Sequence, residues 1–212
     1  MDELTPGPAD APVAYHLRPG APGSRRFQVV CRVRHPDPDG QVVSLPAWIP
    51  GSYLIRDFAR NVVALEASSA GESLPLRKLD KSTWRVAPAG GDLVLRAEIY
   101  ANDLSVRGAH LDPDGAFVNG SSVFLRVHGR ESGRHLVNVS PGDDAATAGW
   151  RLATSLPRLT GAEWEFGAFE APSYAELIDH PLLMGALDVV DFTAAGTPHA
   201  LVLAGRHDAD RD

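Results

Sequence analysis

Apolar and polar residues alternate with a period of two in one segment after another of this 212-residue chain, and 20 glycines and 17 prolines punctuate the intervals. A period of two puts successive side chains on opposite faces of an extended strand; a helix needs apolar positions three and four apart. In FQVVCRVRH, Phe27, Val29, Cys31 and Val33 share one face while Gln28, Arg32 and Arg34 share the other. The pattern returns in STWRVA (Trp84, Val86), DLVLRAEIY (Leu93, Leu95, Ala97, Ile99), SSVFLRV (Val123, Leu125, Val127) and HLVNVS (Val137, Val139). The run Leu201–Leu203 reads as a further, more deeply buried strand. This much Gly and Pro is incompatible with a helical bundle and suits short strands joined by turns, so the expectation is an all-β fold. With 44% hydrophobic residues the chain can build a core of its own.

Turn chemistry divides the strands. Asp37-Pro-Asp-Gly40, Gly90-Gly91, Asp112-Pro-Asp-Gly115, Asn119-Gly120 and Pro141-Gly142 are the strongest signals, and Asn119-Gly120 predicts a tight hairpin. The two Asp-Pro-Asp-Gly copies follow His35 and His110 at the same offset, yet lack the later Glu of a calcium loop and read as ordinary turns. One short helix is expected near 173–180, where Ser173 and Glu176 form a capping box and Pro181 stops the helix. A second helical turn could start at Ser52. Residues 1–12 are expected as a disordered tail, 13–205 as a single β domain, and 206–212 as the start of a linker.

Charge excludes several functions. The net charge of −7, with no basic run beyond Arg25-Arg26, repels a phosphate backbone, so no nucleic-acid partner is expected. The stretch Gln41–Ile55 is free of charge but short and broken by Pro46, Pro50 and Gly51, so no membrane partner is expected either. The start reads as no signal peptide, and a cytoplasmic location is the default expectation. The lone Cys31 is expected as a buried apolar residue. All but two of the 20 basic residues are arginine, a bias without functional content.

Catalytic patterns are missing from the sequence. There is no His-Glu-x-x-His, no Gly-x-Ser-x-Gly, no Walker loop and no Gly-x-Gly-x-x-Gly. The nearest approach to a zinc motif, His128-Gly-Arg-Glu131-Ser-Gly-Arg-His135, carries two glycines and reads as a loop between hairpin strands. Trp48, Trp84, Trp150 and Trp164 are expected mostly in the core, although they could line a groove. Most distinctive is Pro46–Asn61, where a Gly-Ser turn delivers Tyr53, Arg56, Asp57 and Arg60. The last three either form a local ion-pair cluster or face a partner.

Three strings in order, PAWIPGSYLIRDFARNV, DLSVRGAHLDPDGAFVNGSSVFL and FEAPSYAELIDHPLLMGAL, are similar to the amino-terminal domain of the glycyl aminopeptidase family of gluzincin-type zinc metallopeptidases, whose full-length members usually carry a PDZ module. The resemblance implies a saddle-like or sandwich-like domain of twisted antiparallel sheets that packs on a thermolysin-like catalytic domain. In that family the zinc ligands and general base lie in the catalytic domain, and no position here matches them. It therefore implies no cofactor in this chain, zinc in a full-length parent, no turnover by this chain alone, and peptide substrates met through the parent. Under that resemblance, loops Gly51–Arg60 and Arg107–Gly120, with the helix Tyr174–Asp179 as a third candidate, could reach the cleft that receives a substrate's amino terminus. Tyr53, Arg56, Asp57, Arg60, Arg107, Asn119, Glu176 and Asp179 are the candidate residues there. Asp57, Glu176 or Asp179 could meet an α-ammonium, against turn and cap stabilisation as the plainer role. An apolar patch of Tyr53, Phe58, Leu182, Leu183 and Met184 is expected against the catalytic domain. The competing reading is a free-standing β-sandwich module that holds a peptide or glycan through Trp48.

Overall fold

The computed structural model describes residues 11–205 together with 207 and 208. Among the described residues, seventeen strands form four sheets, with a single α-helix, Tyr174–Asp179. The largest sheet has seven strands in the spatial order Gly167–Ala171, His135–Val139, Val13–Pro19, Arg26–Val33, Leu93–Tyr100, Val62–Ser69 and Glu72–Leu74. One four-stranded sheet runs Arg151–Ala153, Leu182–Gly185, Gly115–Val118, Ala109–Asp112; the other runs Arg126–Val127, Val42–Ser44, Thr83–Val86, Leu76–Lys78. A hairpin of Leu187–Ala194 and Thr197–Ala204 stands as the fourth.

The alternation read from sequence sets which face of the large sheet is buried. Val13, Tyr15 and Leu17, Phe27 to Val33 by twos, and Leu93 to Ile99 by twos all point inward, because a strand turns every second side chain to the same side. They meet the inner residues of both smaller sheets, among them Val43, Trp84, Leu111, Val118, Leu152 and Met184, in one continuous hydrophobic core. Cys31 is buried there. The outer face carries paired polar groups instead: Arg18 with Gln28 and Asp143, Arg32 with Asp92, Arg26 with Glu98, and Arg134 with Glu170.

Several local expectations are corrected. The sheets are not antiparallel throughout, since Val13–Pro19 pairs in parallel with His135–Val139. In SSVFLRV only Arg126–Val127 is a strand; Val123, Phe124 and Leu125 are all buried, which a one-sided strand would not allow. Asn119-Gly120 makes no hairpin turn, for Asn119 caps a 3-10 turn over Gly120–Ser122. The hairpin lies instead at Asp112-Pro-Asp-Gly115, where Asp112 Oδ1 accepts from Asp114 N (2.9 Å) and Gly115 N (3.1 Å). His128 and His135 do not flank a hairpin, because their strands belong to different sheets. No helix starts at Ser52; a 3-10 turn follows later, at Phe58–Asn61. Leu201–Leu203 is a strand but not a deep one, Leu201 being 49% exposed.

Of the expected tail, residues 1–10 lie outside the described residues, while Ala11 is buried and Pro12 O accepts from Arg34 N. Of the expected linker 206–212 only His207 and Asp208 are described. Among the described residues no helix is long and apolar enough to cross a membrane.

Candidate functional site

The loop after Val42–Ser44 is built to present its tip. Pro46 and Pro50 withhold two backbone donors, and the chain closes on itself at Ala47, whose carbonyl accepts from Arg56 N (2.7 Å) and Asp57 N (3.2 Å). Inside the loop the buried Ser52 is a hub: its Oγ accepts from Leu54 N and Arg56 Nε and donates to Leu54 O. Trp48 Nε1 donates to Ser52 O at 2.6 Å. These bonds leave Tyr53, Leu54 and Ile55 projecting into solvent, Tyr53 at 103% relative exposure. Asp57, at φ 46° and ψ 54°, is left-handed and turns the chain into Phe58–Asn61. Its carboxylate pairs with Lys81 Nζ at 3.4 Å, and Arg56 is engaged with Ser52, so of the two alternatives for Arg56, Asp57 and Arg60 the local ion-pair cluster does not form among the described residues.

The capped turn Gly120–Ser122 draws the three candidate segments together. Phe58–Asn61 packs on it from one side and the helix Tyr174–Asp179 from another. The third segment runs into this turn, and Asn119 ties its end back to its start: its Nδ2 donates to Val106 O (3.1 Å), its backbone N to Gly108 O (2.9 Å), and its Oδ1 accepts from Ser121 N. Gly120 is required for this approach, since a Cβ there would lie 2.8 Å from Ile178 Cα. Leu104 and Val106 are exposed beside Arg107. Sequence reasoning does not single out these two, and their alternation without a partner strand is the signal that could have found them.

On the helix, Ser173 Oγ accepts from Glu176 N at 3.2 Å, while the Glu176 carboxylate lies 3.6 Å from His180 Nε2. Glu176 and Asp179 are exposed. The expected apolar patch is corrected: Phe58, Leu182 and Met184 are buried in the molecule's own core and Leu183 is half-buried. Leu182–Gly185 is an inner strand flanked on both edges, so its inward side chains are consumed by the domain itself. Of those five residues only Tyr53 is free to meet a partner; its exposed neighbours are Leu54, Ile55 and the half-exposed Trp48.

Histidines near the zinc-like spacing serve the fold. His128 Nε2 lies 2.9 Å from Ser44 Oγ, and burial, then the Arg126 charge, lowers its pKa. His135 is buried between the rings of Tyr15 and Tyr174, with Nδ1 2.7 Å from Gly133 O. His110 Nε2 lies 2.8 Å from Asp112 Oδ2. The Asp112 carboxyl is raised most by burial, but hydrogen bonds from His110, Asp114 N and Gly115 N outweigh that and lower it overall. Among the described residues no three His, Cys, Asp or Glu side chains gather as a metal ion needs, so these donors do not fit a zinc site.

The family model described as the peptidase M61 N-terminal domain matches residues 14–186. The crystal structure of an aminopeptidase N family protein from Idiomarina loihiensis superposes with a TM-score of 0.90 at 37% identity, over 93% of this chain and 33% of that one. An M1 zinc metallopeptidase variant from Deinococcus radiodurans, bound to a Tyr-Ser-Ala substrate, gives a TM-score of 0.47 at 15% identity, over 90% of this chain and 46% of that one. Comparison with curated proteins finds no match. This chain thus spans about a third of the length of that aminopeptidase N family protein. With a family match across most of its length, carried by the same β architecture, the chain belongs to the peptidase M61 (glycyl aminopeptidase) N-terminal domain family.

Proposed function

We propose that this chain is the non-catalytic amino-terminal domain of a zinc-dependent metallo-aminopeptidase, packed on a thermolysin-like catalytic domain of the same polypeptide and walling the end of its cleft that receives a free amino terminus. The observation that carries this reading is the tip Tyr53–Ile55, apolar, exposed and pre-organised by Ser52 and Ala47, in a domain that overlays a third of an aminopeptidase. An apolar tip held rigid without internal partners is suited to burial against another surface. Asp57, beside the tip, and the exposed Glu176 and Asp179 on the helix are the carboxylates offered for a charge-assisted bond to an α-ammonium. Zinc and the general base belong, in this reading, to the catalytic domain. The alternative of a free-standing module gains little from Trp48, whose indole N–H is already given to Ser52 O.

The reading is tested in two steps. The frame beyond residue 212 is expected to encode His-Glu-x-x-His within about 100 codons, and a frame that lacks it sinks the proposal. In the longer polypeptide, Tyr53→Ala with Ile55→Ser is expected to lower kcat/KM for an amino-acyl substrate by about tenfold while the 212-residue chain turns over nothing. Unchanged kinetics in that variant would remove the loop from the cleft.

A further inference from the structure

We infer that the hairpin Leu187–Ala194 and Thr197–Ala204 belongs to the folding unit that follows residue 186, as the first two strands of that unit's sheet, and that a strand of the catalytic module pairs along its open edge. This rests on the reading above, that such a module follows in a longer polypeptide. The family match ends at residue 186, one position before the hairpin begins.

The hairpin is also physically separate from what precedes it. Only Leu187, at its root, is buried against the preceding domain, and every residue from 191 to 201 is exposed. At its root Arg151 Nη1 donates to Leu187 O at 3.3 Å, and the second strand touches Leu182–Gly185. Register places Val190 opposite Leu201 and Phe192 opposite His199 on one face, with Val189 opposite Val202 on the other. Both faces therefore carry apolar side chains, and among the described residues neither outer edge of the pair is bonded to another strand. An isolated two-stranded hairpin is marginal in water, and open edges recruit further strands. Such a ribbon is the start of a sheet that needs a third strand at its edge and a layer on each face.

The occupant is the following module and not a second copy of this chain, because the hairpin sits where an amino-terminal family domain ends and the overlaid aminopeptidase shares only 33% of its length with this chain. Hydrogen exchange of the 187–204 amides, read by mass spectrometry, tests it on the 212-residue chain and on the polypeptide extended through the following module. The hairpin amides are expected to exchange about 100-fold more slowly in the extended polypeptide, with Arg26–Val33 protected alike in both. Full protection already present in the 212-residue chain at every concentration would return the hairpin to the preceding domain. Protection that rises with concentration of that chain would name a second copy as occupant; either result overturns the inference. An extended polypeptide that cleaves an amino-acyl substrate yet leaves the hairpin unprotected overturns the inference alone, whereas a frame without a catalytic module overturns the proposed function as well.

Discussion

Two residues at the heart of the molecule carry more than their own contacts. Gly120 has nothing to do with turn conformation and everything to do with proximity, since the Ile178 backbone occupies the space a Cβ would need. Gly120→Ala is expected to cost about 2 kcal/mol, because the clash is with main chain that cannot rotate away. Thermal unfolding measures it, and a loss under half that size would mean the helix shifts freely. His135 is the second. Its Nε2 is buried without a partner and its ring lies between Tyr15 and Tyr174. Burial lowers its pKa from the ordinary 6.5, against the opposing pull of Gly133 O and Glu131. A base with a depressed folded pKa takes up its proton more readily when unfolded. The stability it contributes is therefore complete above pH 6.5, declines as the pH falls below that value, and levels out once the folded group is itself protonated. His128 acts in the same direction. His135→Phe keeps the ring and removes the titration, so its unfolding free energy is expected to fall less than the parent's between pH 7 and pH 5. An equal fall in variant and parent, read from chemical denaturation at the two pH values, would show that His135 does not titrate on unfolding.

At the scale of elements, the short helix illustrates what a sequence motif does and does not specify. Ser173 caps it as the capping box requires, but the Glu176 carboxylate turns toward His180. Ser173→Ala is accordingly expected to cost about 1 kcal/mol and Glu176→Gln less than about 0.5 kcal/mol, as compared by denaturant midpoints. Equal losses would restore the reciprocal box. Strands were legible wherever one face met the core, since Phe27, Val29, Cys31 and Val33 can share a side only in an extended segment. Pairing was not, because the parallel contact of Val13 with His135 joins segments far apart in sequence. Asn119-Gly120 misled because the dipeptide has two uses, a tight turn and a cap with a close approach, and only the position of Ile178 distinguishes them. The candidate loops were legible as segments. The individual side chains in them were not: Phe58, Leu182 and Met184 are as apolar as Tyr53, and burial by distant strands alone separates them from it.

The whole molecule is tied together by one core to which the large sheet and both smaller sheets contribute. A core shared in this way predicts one cooperative transition for the body of the domain, since no sheet can leave without exposing the inner faces of the others. Cys31 is positioned to report it. The residue lies in an interior strand of the seven-stranded sheet, paired with Tyr15 on one side and Leu95 on the other. Burial raises its thiol pKa, and the hydrogen bond with Tyr15 only partly offsets that. Reaction with a thiol reagent requires the thiolate in contact with solvent, and the native fold denies both. Labelling at neutral pH is therefore expected to be negligible in the folded chain and to rise across denaturant along the same curve as the loss of β-sheet circular dichroism. The peripheral hairpin at 187–204 buries only Leu187 at its root and lies outside the cluster that holds Cys31, so its melting is expected to leave Cys31 unlabelled. Labelling that runs ahead of the dichroism would mean that the large sheet opens separately from the two it packs against.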